Sequence, residues 1–227
     1  MRPRTLAVNG GQDDALHEGG AAAPLVIGGV CGLAWAAGLR GFMAEVAGFA
    51  SGVEWVGTFV WILLPGVIVG VLLGWAEHLR RTGGRRGWRW LAAAPLLLAS
   101  VLFSAPGDMA AMLADGIGGG AIAVPLFGMA GGFSLSGRGP TWGRVASGVI
   151  ALVPVPIWVL TVTGFGGPGL AVTTPRGAWV ALFFWSFLAV LALGCAIPHR
   201  PVAKPFVRDR SRITTQTKAD PTRAHVT

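Results

Sequence analysis

Three ionisable residues lie close to apolar sequence and are the first candidates for chemistry: Arg40, Glu45 and Glu54. A charge at or inside a bilayer is costly, so membrane proteins usually retain one where it pairs or serves a site. We therefore treat the three as a candidate polar cluster, in which Arg40 pairs with a carboxylate or with an anionic headgroup. The alternative, which we favour, is an interfacial pair whose long side chains reach water.

Within this cluster, the partner expected for Arg40 is Glu45. Ser51 and Glu54 have the Ser-x-x-Glu spacing of a capping box, which predicts a helix start and gives Glu54 a role at its own backbone. Arg176 lies in a predicted loop that contains no acidic residue. We therefore expect Arg40→Ala to destabilise the protein more than Arg176→Ala.

Signatures of catalysis, metal binding and cofactor binding are missing from the sequence. No two histidines have the His-x-x-x-His spacing of a metal site, and no Cys-x-x-Cys occurs. Two glycine patterns, starting at Gly116 and Gly164, imitate a dinucleotide fingerprint, but neither follows a strand of a βαβ unit. We predict no catalytic residue, no metal site and no cofactor. A membrane-embedded enzyme stays a second alternative.

Small residues recur every four positions in one apolar stretch, at Gly66, Gly70 and Gly74. Such a strip lets another helix approach closely in lipid, where the hydrophobic effect does not drive helices together. Two further stretches repeat the pattern, with Gly28, Gly32 and Ala36 in one and Gly128, Gly132 and Ser136 in the other. We favour packing inside one bundle. The alternatives are a face for a homo-oligomer or another membrane protein, and a sliding surface between moving halves.

The elements that must position these residues are membrane-spanning helices. The chain is 53% hydrophobic and 12% charged, whereas a soluble domain carries about a quarter charged residues. A span needs about 20 mostly apolar residues, and six stretches qualify. These are residues 22–39, 55–76, 90–104, 120–137, 145–165 and 177–197. We predict an all-α, six-span bundle, flanked by a cytoplasmic tail (1–21) and a basic, disordered cytoplasmic tail (198–227).

Orientation follows from the basic residues, because Lys and Arg accumulate in cytoplasmic loops. With both termini inside, all but Arg40 and Arg176 of the 18 basic residues lie on the cytoplasmic side. The net charge of +8 therefore sits beside apolar stretches, which indicates a lipid bilayer as partner and not nucleic acid. Tryptophans at predicted span ends fit the headgroup level. They are Trp55, Trp75, Trp88, Trp90, Trp142 and Trp179.

Prolines interrupt several predicted spans, at Pro65, Pro95, Pro125, Pro154 and Pro156. Each removes a helical hydrogen bond, and broken helices form substrate sites in transporters. Kinked helices are also ordinary in membrane proteins that transport nothing. A small transporter is therefore the first alternative function, and it requires a mid-depth cavity lined by these breaks.

The stretch Leu39–Glu45, the triplet Leu64–Gly66 and the stretch Gly74–Arg81 resemble those of uncharacterised actinobacterial multi-pass membrane proteins. The resemblance covers the first three spans and implies a membrane protein without transferring an activity. Abundant Gly, Ala and Arg also indicate a GC-rich bacterial genome. We expect a multi-pass protein of the bacterial cytoplasmic membrane that acts as an accessory or structural component.

Overall fold

A computed structural model of the chain describes residues 20–48, 51–103 and 117–202, and every regular element in those ranges is helical. Most of both predicted tails therefore lies outside the described residues. Helices occupy all six predicted apolar stretches. They are α1 (Ala22–Ala47), a π-helix (Trp55–Leu63) that continues into α2 (Leu64–Arg81), a 3₁₀ helix (Trp88–Phe103), α3 (Ile117–Leu135), α4 (Thr141–Leu152), α5 (Pro154–Gly166) and α6 (Pro175–Ala196).

Four of these helical stretches are long and apolar enough to cross a membrane. They are α1, the π-helix with α2, α4 with α5, and α6 with the short 3₁₀ turn Ile197–His199 that follows it. The 3₁₀ helix and α3 are apolar but shorter. Within the described ranges the protein is therefore all-helical, with four candidate membrane spans.

The first helix is longer than predicted. It runs to Ala47, beyond the expected end at residue 39, and stops at Gly48, whose φ of 58° belongs to the left-handed region. Arg40 and Glu45 consequently lie on the last turns of α1 and not in a loop. Apolar content marked only the apolar part of this helix, which continues through residues that include Arg40 and Glu45.

Two of the predicted proline breaks coincide with changes in the backbone. The π-helix gives way to α2 at Leu64, directly before Pro65. Likewise, α4 ends at Leu152 and α5 starts at Pro154. Proline lacks an N–H and its ring clashes with the carbonyl four residues earlier, so a regular α-helix cannot pass through it undisturbed. In contrast, Pro125 lies inside α3 and Pro95 inside the 3₁₀ helix.

The predicted small-residue strips of the first two spans pack against each other. A side chain added at Gly70 would collide with the carbonyl oxygen of Gly28, and one at Gly74 with the carbonyl of Pro24. At the far end, the Cβ of Ala36 fills the space beside Gly66. We call this contact the α1–α2 seam. Its backbones touch because glycine leaves no side chain between them.

A second close contact joins α3 to α6. Gly128 faces the side chain of Leu191, and Gly132 faces the backbone of Cys195. Ser136, the third member of the predicted strip, is buried and donates instead to the carbonyl oxygen of Phe133 at 2.6 Å. The glycines of all three strips thus face contacts within the chain.

An aromatic cluster connects α1, α5 and α6 at the other end of the bundle. The ring of Phe42 lies 5.4 Å from Trp158, 5.3 Å from Phe184 and 5.2 Å from Phe187, measured between centroids. Trp35 donates its indole N–H to the carbonyl oxygen of Phe187 at 2.7 Å. These offset and edge-on contacts fix α1 against α6 from Trp35 to Phe42.

Candidate functional site

The predicted polar cluster does not assemble as a group around Arg40. The half-buried guanidinium of Arg40 donates to the hydroxyl of Ser51 at 2.9 Å and to the carbonyl oxygen of Gly52. Neither Glu45 nor Glu54 forms an ion pair with it among the described residues. Arg40 therefore binds the segment after α1 that contains Ser51 and Gly52.

Glu45 pairs instead with Arg176. The Nη2 atom of Arg176 donates to the backbone carbonyl oxygen of Glu45 at 2.9 Å and lies 3.7 Å from its carboxylate. The expectation that Arg176 has no acidic neighbour was wrong, because the start of α6 lies beside the end of α1. Sequence distance hides this contact, which joins residues 131 positions apart.

Glu54 does not take part in a capping box. It is itself the N-cap residue of the π-helix, with no side-chain capping bond, and its carbonyl oxygen accepts from the N–H of Thr58 at 2.8 Å. The Ser51 hydroxyl is used by Arg40. The capping prediction was therefore wrong in its bonds, although a helix does start at Trp55 as expected.

These polar contacts at the end of α1 tie chain segments together. Arg40 and Ser51 fasten the segment between α1 and the π-helix, and Arg176 fastens α6 to α1. Arg40 donates to a hydroxyl and a backbone oxygen, and Arg176 donates to a backbone carbonyl beside a carboxylate. The arrangement can stabilise one end of the bundle, and its described residues place no nucleophile within hydrogen-bond distance of a base.

The opposite half of the bundle contains an open cleft of about 520 Å³ between α1 and α6. Its floor is α2, where Val69 and Leu73 are buried and Gly66, Gly70 and Gly74 lie along the edge formed by the α1–α2 seam. Ile27 and Cys31 of α1 line one wall, and α6 lines the other. Trp35 of α1, which also lines the cleft, donates to Phe187 of α6. We call this open cleft the inner cleft.

A cluster of charges closes one end of the inner cleft. Glu77 accepts two bonds from Arg80, from Nε at 2.7 Å and from Nη2 at 2.7 Å, and a third from Nε of Arg81 at 2.6 Å. Arg200, after the turn that follows α6, also lines this end. The two parallel hydrogen bonds let the negative charge of Glu77 balance the positive charge of Arg80. The positive charges of Arg81 and Arg200 therefore remain in excess.

Sequence reasoning missed this cluster as a site, since it used these arginines only to orient the chain. The spacing of Glu77, Arg80 and Arg81 was a usable signal, because residues three and four apart lie side by side on a helix. No local sequence pattern predicted that Arg200 would lie near the end of α2. This placement follows from the hydrogen bond between Nη1 of Arg80 and the carbonyl oxygen of Pro201 at 3.5 Å, which joins α2 to the chain after α6.

Comparison of the chain with protein-family models, curated proteins and solved structures found no match. The chemistry of its own sites is therefore the guide to its function. Among the described residues, no three His, Cys, Asp or Glu side chains group as metal ligands. The inner cleft combines an apolar lining with a basic end, and that combination suits binding of an amphiphile.

Proposed function

We propose that the chain is a six-span accessory or structural component of the bacterial cytoplasmic membrane, with both termini in the cytoplasm and no catalytic chemistry of its own. The observation that carries this proposal is the α1–α2 seam. Its backbones are in contact from Pro24 and Gly74 to Gly32 and Gly66, and we infer that these two helices form one rigid unit. A scaffold needs this rigidity, whereas moving halves need a looser contact.

Helix lengths support six spans. The 3₁₀ helix has 16 residues, and at about 2.0 Å per residue it reaches about 32 Å, the thickness of a bilayer's hydrocarbon core of about 30 Å. The 19 residues of α3 reach about 28 Å at about 1.5 Å per residue. Both elements are therefore long enough to cross despite their low residue counts.

Two contacts support the proposed orientation. Arg40 and Arg176, the two basic residues assigned to the outside, both bond to the region between Glu45 and Gly52 and so share one end of the bundle. Arg80 bonds to Pro201, so the loop after α2 and the start of the C-terminal tail share another end. These contacts are consistent with the proposed assignment of Arg40 and Arg176 to one side and Arg80 to the other.

Reporter fusions test this topology. Fusions after Arg86 and after Thr227 should give the cytoplasmic signal, because the basic loops favour that side. A sandwich fusion at Gly52, inside the predicted outer loop, is the matched control and should give the periplasmic signal. A periplasmic signal at Arg86 or at the C-terminus contradicts the orientation, and equal signals at Arg86 and Gly52 contradict the span count.

A small transporter is the second candidate, favoured by the interruption at Val153 between α4 and α5. Against it, none of the prolines at the breaks lines the inner cleft. The two candidates differ in water access at the break. In a chain with Cys31 and Cys195 replaced by Ser, a transporter should allow a cysteine at Val153 to react with a membrane-impermeant maleimide. A scaffold should leave it unlabelled, as a lipid-facing cysteine at exposed Leu160 should be.

A further inference from the structure

The inner cleft has the length of one lipid leaflet. At about 1.5 Å per residue, the part of α2 from Gly66 to Glu77 extends about 16 Å, close to half of a hydrocarbon core of about 30 Å. Its lining along this length is apolar, with Ile27, Cys31, Val69 and Leu73 among the side chains. Only at Glu77 do charges begin. This sequence of an apolar channel and a polar end matches an acyl chain joined to a headgroup.

The charged end favours an anion. The guanidinium groups of Arg80 and Arg81 both donate to the single carboxylate of Glu77. Arg200 adds a third positive charge to the lining of the cleft. Arg80 is already engaged by both oxygens of Glu77. Arg81 is 65% exposed and donates to Glu77 only from its Nε. Within the described residues its two terminal nitrogens make no hydrogen bond, so they are available to a ligand. Planar guanidinium groups of this kind recognise phosphate with two parallel bonds.

We infer that the inner cleft binds an anionic phospholipid, with one acyl chain along α2 between α1 and α6 and the phosphate at Arg81 and Arg200. The inference goes beyond the proposed function. It requires that the bundle lies in a membrane, but it does not depend on the direction in which the chain is inserted.

Other occupants fit the charges less well. A zwitterionic lipid brings a cation to a place where Arg81 and Arg200 already leave positive charge in excess. A second copy of the chain, inserted in the same direction, brings its own Arg81 and Arg200 to the same level, and like charges repel. Basic sites between membrane helices on one face are the kind of place where acidic headgroups bind.

The test uses the full chain, purified in a neutral detergent and depleted of lipid. Dioleoyl phosphatidylglycerol and dioleoyl phosphatidylcholine are titrated separately, with bound lipid counted by native mass spectrometry and thermal unfolding followed in parallel. Phosphatidylglycerol should bind at one lipid per chain and raise the unfolding temperature, and phosphatidylcholine should bind at least roughly tenfold more weakly, because it cannot supply uncompensated negative charge.

Two variants separate the headgroup from the acyl chain. Arg81→Gln with Arg200→Gln should weaken phosphatidylglycerol binding at least roughly tenfold, since charge-assisted hydrogen bonds are lost. The matched control, Arg86→Gln with Arg138→Gln, changes the net charge equally but alters no residue of the cleft. Cys31→Phe should block the channel while keeping every charge, and Val30→Phe, at an exposed neighbour outside the lining, is its control.

Equal binding of the two lipids overturns the inference, and so does equal loss in the two arginine double variants. Retention of phosphatidylglycerol by Cys31→Phe shows that no acyl chain enters the cleft. A dimer that Cys31→Phe dissociates identifies a second copy as the occupant and also overturns it. Sodium phosphate at the same concentration tests whether the site binds a free anion. If it raises the unfolding temperature as much as phosphatidylglycerol does, the site does not require a lipid and the inference is overturned. None of these outcomes changes the reporter-fusion result, so the two proposals fail separately.

Discussion

Arg176 at the start of α6 bonds to Glu45 at the end of α1, with its Nη2 atom 2.9 Å from the carbonyl oxygen and 3.7 Å from the carboxylate. The pair joins the first and last helices of the bundle at the end opposite the inner cleft. It lies at the surface, where its side chains are 55% and 47% exposed. Water therefore screens it, and its main effect is to hold the two helix ends in register.

This exposure sets the relative cost of removing the two outer arginines. We expect Arg176→Ala to lower the free energy of unfolding by less than about 1 kcal/mol. Arg40→Ala should cost more, about 1–3 kcal/mol, because the half-buried Arg40 donates to both Ser51 and Gly52. The order matches the sequence-based expectation, but the partners are different. Chemical unfolding of the purified variants in detergent measures both changes.

Ser51→Ala and Glu54→Ala serve as controls for this comparison. Ser51→Ala should reproduce part of the cost of Arg40→Ala, and Glu54→Ala should be close to neutral because Glu54 is exposed and its side chain caps no helix. A larger effect for Glu54→Ala than for Ser51→Ala contradicts the assignment.

The α1–α2 seam predicts a strong effect of added volume. Gly70→Leu forces a side chain into the backbone of Gly28, so the helices must separate, and overpacking of this kind costs about 1–3 kcal/mol. We expect a lower folded yield and a lower unfolding temperature. Gly164→Leu in α5 is the matched control, since no atom lies near the position of its new side chain. An unchanged Gly70→Leu variant would mean that the strip faces lipid.

Glu77 predicts opposite changes in stability and in lipid binding. Glu77→Gln removes the acceptor of two arginines, one of which, Arg80, is only 21% exposed. The free energy of unfolding should fall by about 1–3 kcal/mol. The same change removes the one negative charge at the end of the inner cleft, so phosphatidylglycerol should bind more tightly. Thermal unfolding and lipid titration of one preparation give both values, and a parallel loss of the two contradicts the role assigned to Glu77.

Much of the helical architecture was accessible from sequence. Backbone groups in a membrane must be satisfied within their own segment, so a long apolar stretch such as that of α6 predicts a helix without knowledge of its neighbours. The roles of Pro65 and Pro154 were equally local, because a missing N–H acts on the same helix. Of the six tryptophans predicted at span ends, five are exposed and Trp88 is buried among protein atoms. Their depth in a bilayer stays a prediction.

The pairing of helices was decided only by tertiary structure. Each glycine strip predicted a close helix contact, but the strips of α1, α2 and α3 are alike in composition. Local sequence therefore could not predict that Gly28 contacts Gly70 while Gly132 contacts Cys195. In lipid, helix association depends on the fit of two complementary surfaces. That fit is a property of pairs of segments far apart in the chain.

The polar sites show the same division for a second reason. Sequence placed Arg40, Glu45 and Arg176 near one membrane face, because charge avoids the hydrocarbon core. Their partners depended on where α1 ends and on which helix stands beside it. The inner cleft could not be predicted from local sequence at all, because it is the space between α1 and α6 over α2. A chain's own residues determine what lies in the membrane, and only the packing of its helices determines which surfaces remain open.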